Sequence, residues 1–220
     1  RFDVLERGVR EATIVLGNPP FENFDAKDRL QGWLPNKAAE TFRRVVEHLP
    51  QGGVFGFVLP QTFLRSKQGI AVRETLLRDY EIAEISLFAD KVFRYGESES
   101  AVVMGRRLKG PSRPFSVRYQ RIREGQIAEF SRTYQPGSAQ IMDSERFLRS
   151  GSPSLFVPEL ESVWHALPTL PTLGEFAIVG QGLSHTKAVA GTAPRESSKP
   201  REGMEPGYAT WDEEQMTHTS

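Results

Sequence analysis

The stretch Ile14-Val15-Leu16-Gly17-Asn18-Pro19-Pro20-Phe21 limits what this chain can fold into more than any other. Its aliphatic residues suit a strand, and the two prolines must end it, because neither can donate to a sheet ladder. Each proline also drives the residue before it out of the helical region, so Asn18 and Pro19 are extended. A buried strand over Thr13–Gly17 is therefore expected to run into a stiff turn that presents one amide, one backbone carbonyl and one aromatic ring. In open α/β sheets, ligands bind at the C-terminal ends of the strands.

Downstream, Ala38, Ala39, Phe42, Val45, Val46 and Leu49 recur at helical spacing behind Asn36, a good N-cap. Pro50 and Gly52-Gly53 stop that helix, and the unbroken apolar run Val54–Leu59 reads as a strand covered on both faces. Strand, helix and strand joined by short connections make a βαβ unit with parallel strands. A second helix is expected over Ser66–Tyr80, with strands over Glu81–Phe88 and Ser100–Leu108. Phe2–Leu5 reads as the end of a strand followed by a turn, and residues 22–35 as an exposed loop anchored by Trp33 and Leu34.

Beyond Gly110 the pattern weakens. Phe115, Val117 and Tyr119 alternate as in a half-exposed strand, and residues 124–154 read as a connector with a short helix near Ser144–Leu148. Val163–Leu167 reads as another helical turn. Pro168 and Pro171 mark a boundary before Leu173-Gly174-Glu175, and the Pro-, Ser- and Thr-rich sequence from Ala190 onward reads as loop or disordered tail. Three segments result, 1–110, 111–168 and 169–220.

The 220 residues contain no cysteine, which excludes a disulfide framework and thiolate metal sites and fits a reducing cytoplasm. No apolar run approaches the ~20 residues of a membrane span. His48, His165, His185 and His218 are scattered without ligand spacing, so no metal is expected. The net charge is zero, yet Arg106, Arg107, Lys109, Arg113, Arg118, Arg121 and Arg123 follow one another with no acidic residue between them. Such a strip is either a solvated face or a phosphate-facing surface, with Arg106, Arg107, Lys109 and Arg113 as its leading candidates.

Asn18-Pro19-Pro20-Phe21 resembles the Asn-Pro-Pro-aromatic motif of N6-adenine DNA methyltransferases of the restriction-modification type. The chemistry explains the residue types. An exocyclic adenine amine is a poor nucleophile because its lone pair is delocalised into the ring. Two fixed acceptors of low basicity, the Asn18 side-chain oxygen and the Pro19 carbonyl, would take both amine hydrogens and localise that lone pair. Phe21 offers the base a flat face, and stacking of this kind is worth ~1–3 kcal/mol.

The resemblance implies a partial Rossmann-like sheet of the S-adenosylmethionine-dependent methyltransferase type, with an antiparallel last strand, followed by an irregular α+β segment. It implies S-adenosylmethionine as cofactor and double-stranded DNA as partner, with the target base flipped out. Asp3, fifteen positions before Asn18, takes the place of the acidic residue that contacts the cofactor adenine. Pro20 and Phe42 fall near the cofactor, and Val92-Phe93 matches the pair whose Phe packs on the flipped adenine. Leu173-Gly174-Glu175, with Gly180 and Gly182 after it, is similar to the opening of the family's target-recognition domains. The Gly-rich loop and the acidic residue that grips the cofactor ribose have no counterpart here. They would lie before Arg1, so the chain is expected to be the C-terminal part of the catalytic domain, with the missing N-terminal half as a partner, and to be inactive alone. The same motif occurs in enzymes that methylate glutamine of release factors and in some RNA methyltransferases, and a non-catalytic nucleic-acid-binding remnant is a further alternative. No Asp…Glu-x-Lys cluster marks a fused nuclease.

Overall fold

Six segments pair into one mixed sheet: β1 (Ile14–Gly17), β2 (Val54–Pro60), β3 (Tyr80–Phe88), β4 (Ser100–Arg107), β5 (Ser116–Ile122) and β6 (Ser138–Asp143), in the order β1-β2-β4-β3-β5-β6. This computed structural model describes residues 2–90, 98–110, 113–148, 152–160, 163, 171, 173–177, 210–212 and 217–219. β1 and β2 are parallel, as are β3 and β5, while β4 runs antiparallel between β2 and β3. The connection from β2 to β3 leaves a gap one strand wide, and β4 fills it from the opposite direction. That is the α/β sheet with an antiparallel last strand expected of a methyltransferase. The sheet then continues past residue 110, with β5 beside β3 and β6 antiparallel on β5.

One face of the sheet is covered. α2 (Lys37–His48) lays its stripe of Ala38, Ala39, Phe42, Val45 and Val46 there, and α3 (Ile70–Asp79) adds Val72, Leu76 and Leu77. The Phe42 ring packs against Phe55, Phe57 and Phe63 with centroids 5.3, 5.0 and 5.6 Å away. The buried Tyr80 hydroxyl donates to the Val46 carbonyl at 2.6 Å, and burial pushes its pKa up to about 12. Asn36 caps α2 through a 3.1 Å bond from the Ala39 amide to its side-chain oxygen, as the sequence indicated.

A fully buried arginine ties this layer to the strap formed by residues 152–157. Arg73 donates to the carbonyls of Pro153, Phe63 and Ser66 at 2.8, 2.6 and 2.8 Å. Burial pulls its pKa down to about 10, with Glu74 opposing. Leu155 and Val157 of the strap close the core over β5, where the Tyr119 hydroxyl accepts from the Val157 amide at 3.0 Å.

Several expectations are corrected. Phe2–Leu5 is not a strand end; it opens α1 (Phe2–Glu11), which packs on α2. α1 is held by long-range contacts, with Glu6 paired to Arg44 and Phe2 edge-on to Trp33 at 4.9 Å. The helix before β3 begins at Ile70, after a short 3-10 turn over Lys67–Gly69, and ends before Tyr80, which belongs to the strand. In β5, by contrast, Val117 and Tyr119 are buried while Ser116 and Arg118 are exposed, the half-exposed alternation expected there. Residues 124–154 hold α4 (Ile127–Thr133) and β6 as well as the 3-10 turn Ser144–Leu148.

Two units make up the chain, Arg1–Ser162 and Val163–Ser220. In the second, Leu173–Phe176 forms a helical turn, and Thr210–Asp212 pairs antiparallel with Thr217–Thr219, so these six tail residues are strand rather than loop. Residues 164–167 of the expected helical turn lie outside the described residues.

Candidate active site

β1 was expected to be buried, and it is an edge strand with one bare face. It pairs only with β2, and Ile14 and Leu16 are 64% and 77% exposed. Their side chains stand beside Val54, Gly56 and Met104 on the uncovered side of the sheet. Its opposite side is seated closely. A Cβ on Gly17 would meet the Phe57 ring at 2.4 Å, so only glycine lets the strand end approach β2 in this way.

Asn18 follows directly and is exposed, Pro19 is half-buried, and Phe21 packs against the core. Among the described residues no hydrogen bond engages the Asn18 side chain or the Pro19 carbonyl, so both acceptors are unclaimed there. The turn is held from behind. The Asn36 amide group donates to the Phe21 carbonyl at 2.7 Å while its oxygen caps α2. Phe24 N–H to Pro35 carbonyl and Lys37 N–H to Glu22 carbonyl, each 2.9 Å, close the base of the loop between Phe21 and Asn36.

That loop is anchored as Trp33 and Leu34 suggested. Phe2, Phe24 and Trp33 form an aromatic cluster, with the Arg44 guanidinium over Phe2 at 5.4 Å and over Trp33 at 5.6 Å. Beneath it the Glu40 carboxylate is fully buried and accepts from the Leu34 amide at 3.0 Å, from Arg43 at 2.6 Å and from Arg44 at 2.7 Å. Burial acts to raise its pKa, but the bonds from Arg43, Leu34 and Arg44 outweigh it and hold Glu40 below the ordinary glutamate range. Sequence reasoning missed Asn36 as a support of the motif and Glu40 as the loop's anchor. The only local sign was the N-cap.

The other candidate residues do not gather here. Asp3 sits exposed in the first turn of α1 rather than at a strand end. Phe42 is wholly enclosed by core aromatics and offers no face to a cofactor. Phe93 lies outside the described residues. Arg106 and Arg107 end β4 level with Val54 and Tyr80, at the sheet edge where β2 and β3 begin. Arg106 is paired with Glu81 at 3.1 Å, and Arg107 donates to the Leu49 carbonyl at the C-terminus of α2. Lys109 lies against Gly52, and Arg113 precedes β5 on the same rim. Asn18, by contrast, leaves the C-terminal end of β1. The structure puts these four cations and the motif on opposite rims.

No group of three or more His, Asp or Glu side chains among the described residues is arranged to hold a metal. No helix among them is long and apolar enough to cross a membrane.

Comparison with known proteins finds a similar family over part of the chain and a shared fold over most of it. Residues 10–93 match the Eco57I restriction-modification methylase family. No curated protein matches the chain. A structure reported for the complex assembly and conformational transition of the type I R-M system aligns over 74% of this chain and 43% of its own, with TM-score 0.53 and 16% identity. A chain assigned as the modification subunit of a type I restriction enzyme from Vibrio vulnificus YJ016 aligns over 74% of this chain and 42% of its own, with TM-score 0.52 and 15% identity. The present chain thus spans less than half of either. At such identities the two structures establish a shared fold. Residues 10–93, which include the Asn18–Phe21 turn, are thus similar to the restriction-modification methylases.

Proposed function

We propose that this chain carries the target-base side of an enzyme that methylates the exocyclic N6 of adenine in double-stranded DNA, with S-adenosylmethionine as methyl donor and the base flipped out of the duplex. The observation that carries this reading is the pair of unclaimed acceptors, the Asn18 side-chain oxygen and the Pro19 carbonyl, on a proline-stiffened turn at the C-terminal end of β1. Each accepts one amine hydrogen, which draws the nitrogen towards tetrahedral geometry. Phe21 supplies an apolar wall, and on the family resemblance Phe93 supplies a second. The Asn36 bond to the Phe21 carbonyl supports the reading, because acceptors that move lose the advantage of being fixed beforehand.

The methyl donor itself does not fit the residues present. Phe42 is enclosed, Asp3 sits on a helix, and only Pro20 remains beside the motif. The open edge of β1 and its bare face fit the other half of the catalytic domain, which would pair with β1 and bring the donor's contacts. The protein works in the cytoplasm, where DNA lies. The experiment compares methyl transfer from labelled donor to DNA by a polypeptide with the sheet completed and by the 220-residue chain alone. The longer form should be active and the isolated chain inactive. Asn18→Ala in the longer form should abolish nearly all turnover, and wild-type rates in that variant would refute the role given to Asn18. Transfer to release-factor protein or to RNA instead of DNA would move the substrate class. DNA binding by the longer form without transfer would establish the non-catalytic alternative, which the poor fit of Asp3 and Phe42 to a cofactor favours.

A further inference from the structure

We propose that Arg65 and Arg121, both set over the ring of Phe156, form a phosphate-binding pair for a nucleic-acid strand on the same rim as Asn18. The inference deepens the DNA reading above and rests on it. Arg65 follows the 3-10 turn Gln61–Leu64 that continues β2 beyond its C-terminal end. Arg121 stands near the C-terminal end of β5, opposite Leu87. The strap brings them to a common ring: the Leu155 amide donates to the Leu64 carbonyl at 2.9 Å, and Arg121 donates to the Val157 carbonyl at 2.9 Å. Phe156 then lies 4.7 Å from the Arg65 guanidinium and 6.0 Å from that of Arg121.

Stacking on an aromatic ring fixes the plane of a guanidinium while leaving N–H groups for phosphate, the whole fork in Arg65 and the part that the Val157 bond leaves in Arg121. Among the described residues no carboxylate lies within ion-pair distance of either arginine. Arg123, two residues on, is already paired with Glu159. The same contrast holds across the sheet, where Arg106 pairs with Glu81 and Arg107 caps α2. Four strand spacings separate β1 from β5, about 19 Å, so a strand engaged at Asn18 would reach the arginine pair within roughly six nucleotide steps. The sequence strip placed its leading candidates on the wrong rim for this and did not include Arg65.

The test measures anisotropy of a labelled single-stranded DNA of about 12 nucleotides with the 220-residue chain across a salt series. Each phosphate contact on a single strand contributes about 0.7 to the slope of log affinity against log salt. Arg65→Ala should lower the slope by about 0.7, and Arg65→Ala with Arg121→Ala by about 1.4, with affinity falling on the order of tenfold at 0.1 M salt. Arg106→Ala should leave both unchanged. The Arg65 side chain makes no hydrogen bond among the described residues, so Arg65→Ala keeps the fold and carries the test even if Arg121→Ala loosens the strap. Wild-type slope and affinity in the double variant would overturn the proposal while the DNA reading stood. Competition by poly-glutamate as strong as that by unlabelled DNA would overturn it as well, since the surface would then favour acids in general. No binding by the wild-type chain at any salt would remove the DNA-binding reading of this chain, and the proposal with it.

Discussion

β1 and β2 are parallel neighbours of similar apolar make-up, yet their surroundings differ sharply. β2 has a strand on each side and sends Phe55, Phe57 and Leu59 into the covered layer, each no more than 2% exposed. β1 has one neighbour, and two of its four residues stand largely in the open. Parallel strands are normally covered on both faces, because the crossover that joins them puts helices there. Within the described residues the helix layer reaches only one face of the β1–β2–β4 region, and the other face is bare at Ile14 and Leu16. The part that is complete supplies rigidity. The part that is open lies where the candidate acceptors are.

That contrast has measurable edges. Phe57→Ala should be the most damaging change, at about 3–5 kcal/mol in a denaturant titration, because it empties a site shared by Phe42 and Gly17. If it cost under about 1 kcal/mol, the covered layer would not be the closely packed core described. Gly17→Ala should follow at roughly 1–3 kcal/mol, since the new methyl would drive β1 away from the Phe57 ring. Asn36→Ala should cost about 2 kcal/mol, from the lost cap and the lost bond to Phe21. Asn36→Asp keeps the cap but removes the donor, so it should recover about half of that stability while amide exchange from Gly17 to Phe24 stays fast; protection equal to wild type would remove Asn36 as the support of the motif.

Glu40 gives a pH signature of intermediate size. Its pKa is lowered in the folded state, so its contribution is full above the ordinary glutamate range and is lost as pH falls through the lower folded value. Melting temperature should therefore drop more steeply below about pH 4 in the wild type than in Glu40→Gln, and parallel curves would show that Glu40 carries no such linkage. Smallest of all, Leu16→Thr should change stability of the isolated chain by less than about 0.5 kcal/mol, as for an exposed position. A cost near that of Phe57→Ala would mean that the bare face is covered in solution.

Much of the covered half was legible in the sequence. The stripe from Ala38 to Leu49, the stop at Gly52-Gly53 and the run Val54–Leu59 each encode their environment locally, through periodicity or its absence. α1 was not legible, because only Val9 among its residues is buried and its other anchors, Phe2 and Glu6, reach partners more than thirty positions away in Trp33 and Arg44. Arg73 gave no sign either: a buried guanidinium satisfied by three carbonyls looks like any helical arginine until the strap is placed. β6 hid because Met142 alone is buried in it. The basic strip misled for a geometric reason. Consecutive residues on an extended strand travel ~3.3 Å each, so the strip from Arg106 to Arg123 turns back and climbs from one rim of the sheet to the other. The Asn18 turn was legible as a turn, but the residue that steadies it was not, since Asn36 announces only its cap.

An uncovered strand edge invites further strands, from another domain or from a copy of the same chain, and its hazard grows with its length and flatness. β1 offers only four residues, and after Asn18 the chain continues with Pro19 and Pro20, which have no N–H to give to a longer ladder. The turn that holds the candidate acceptors also limits strand addition beyond Asn18. One pair of prolines both stiffens the turn and guards the open edge against self-assembly.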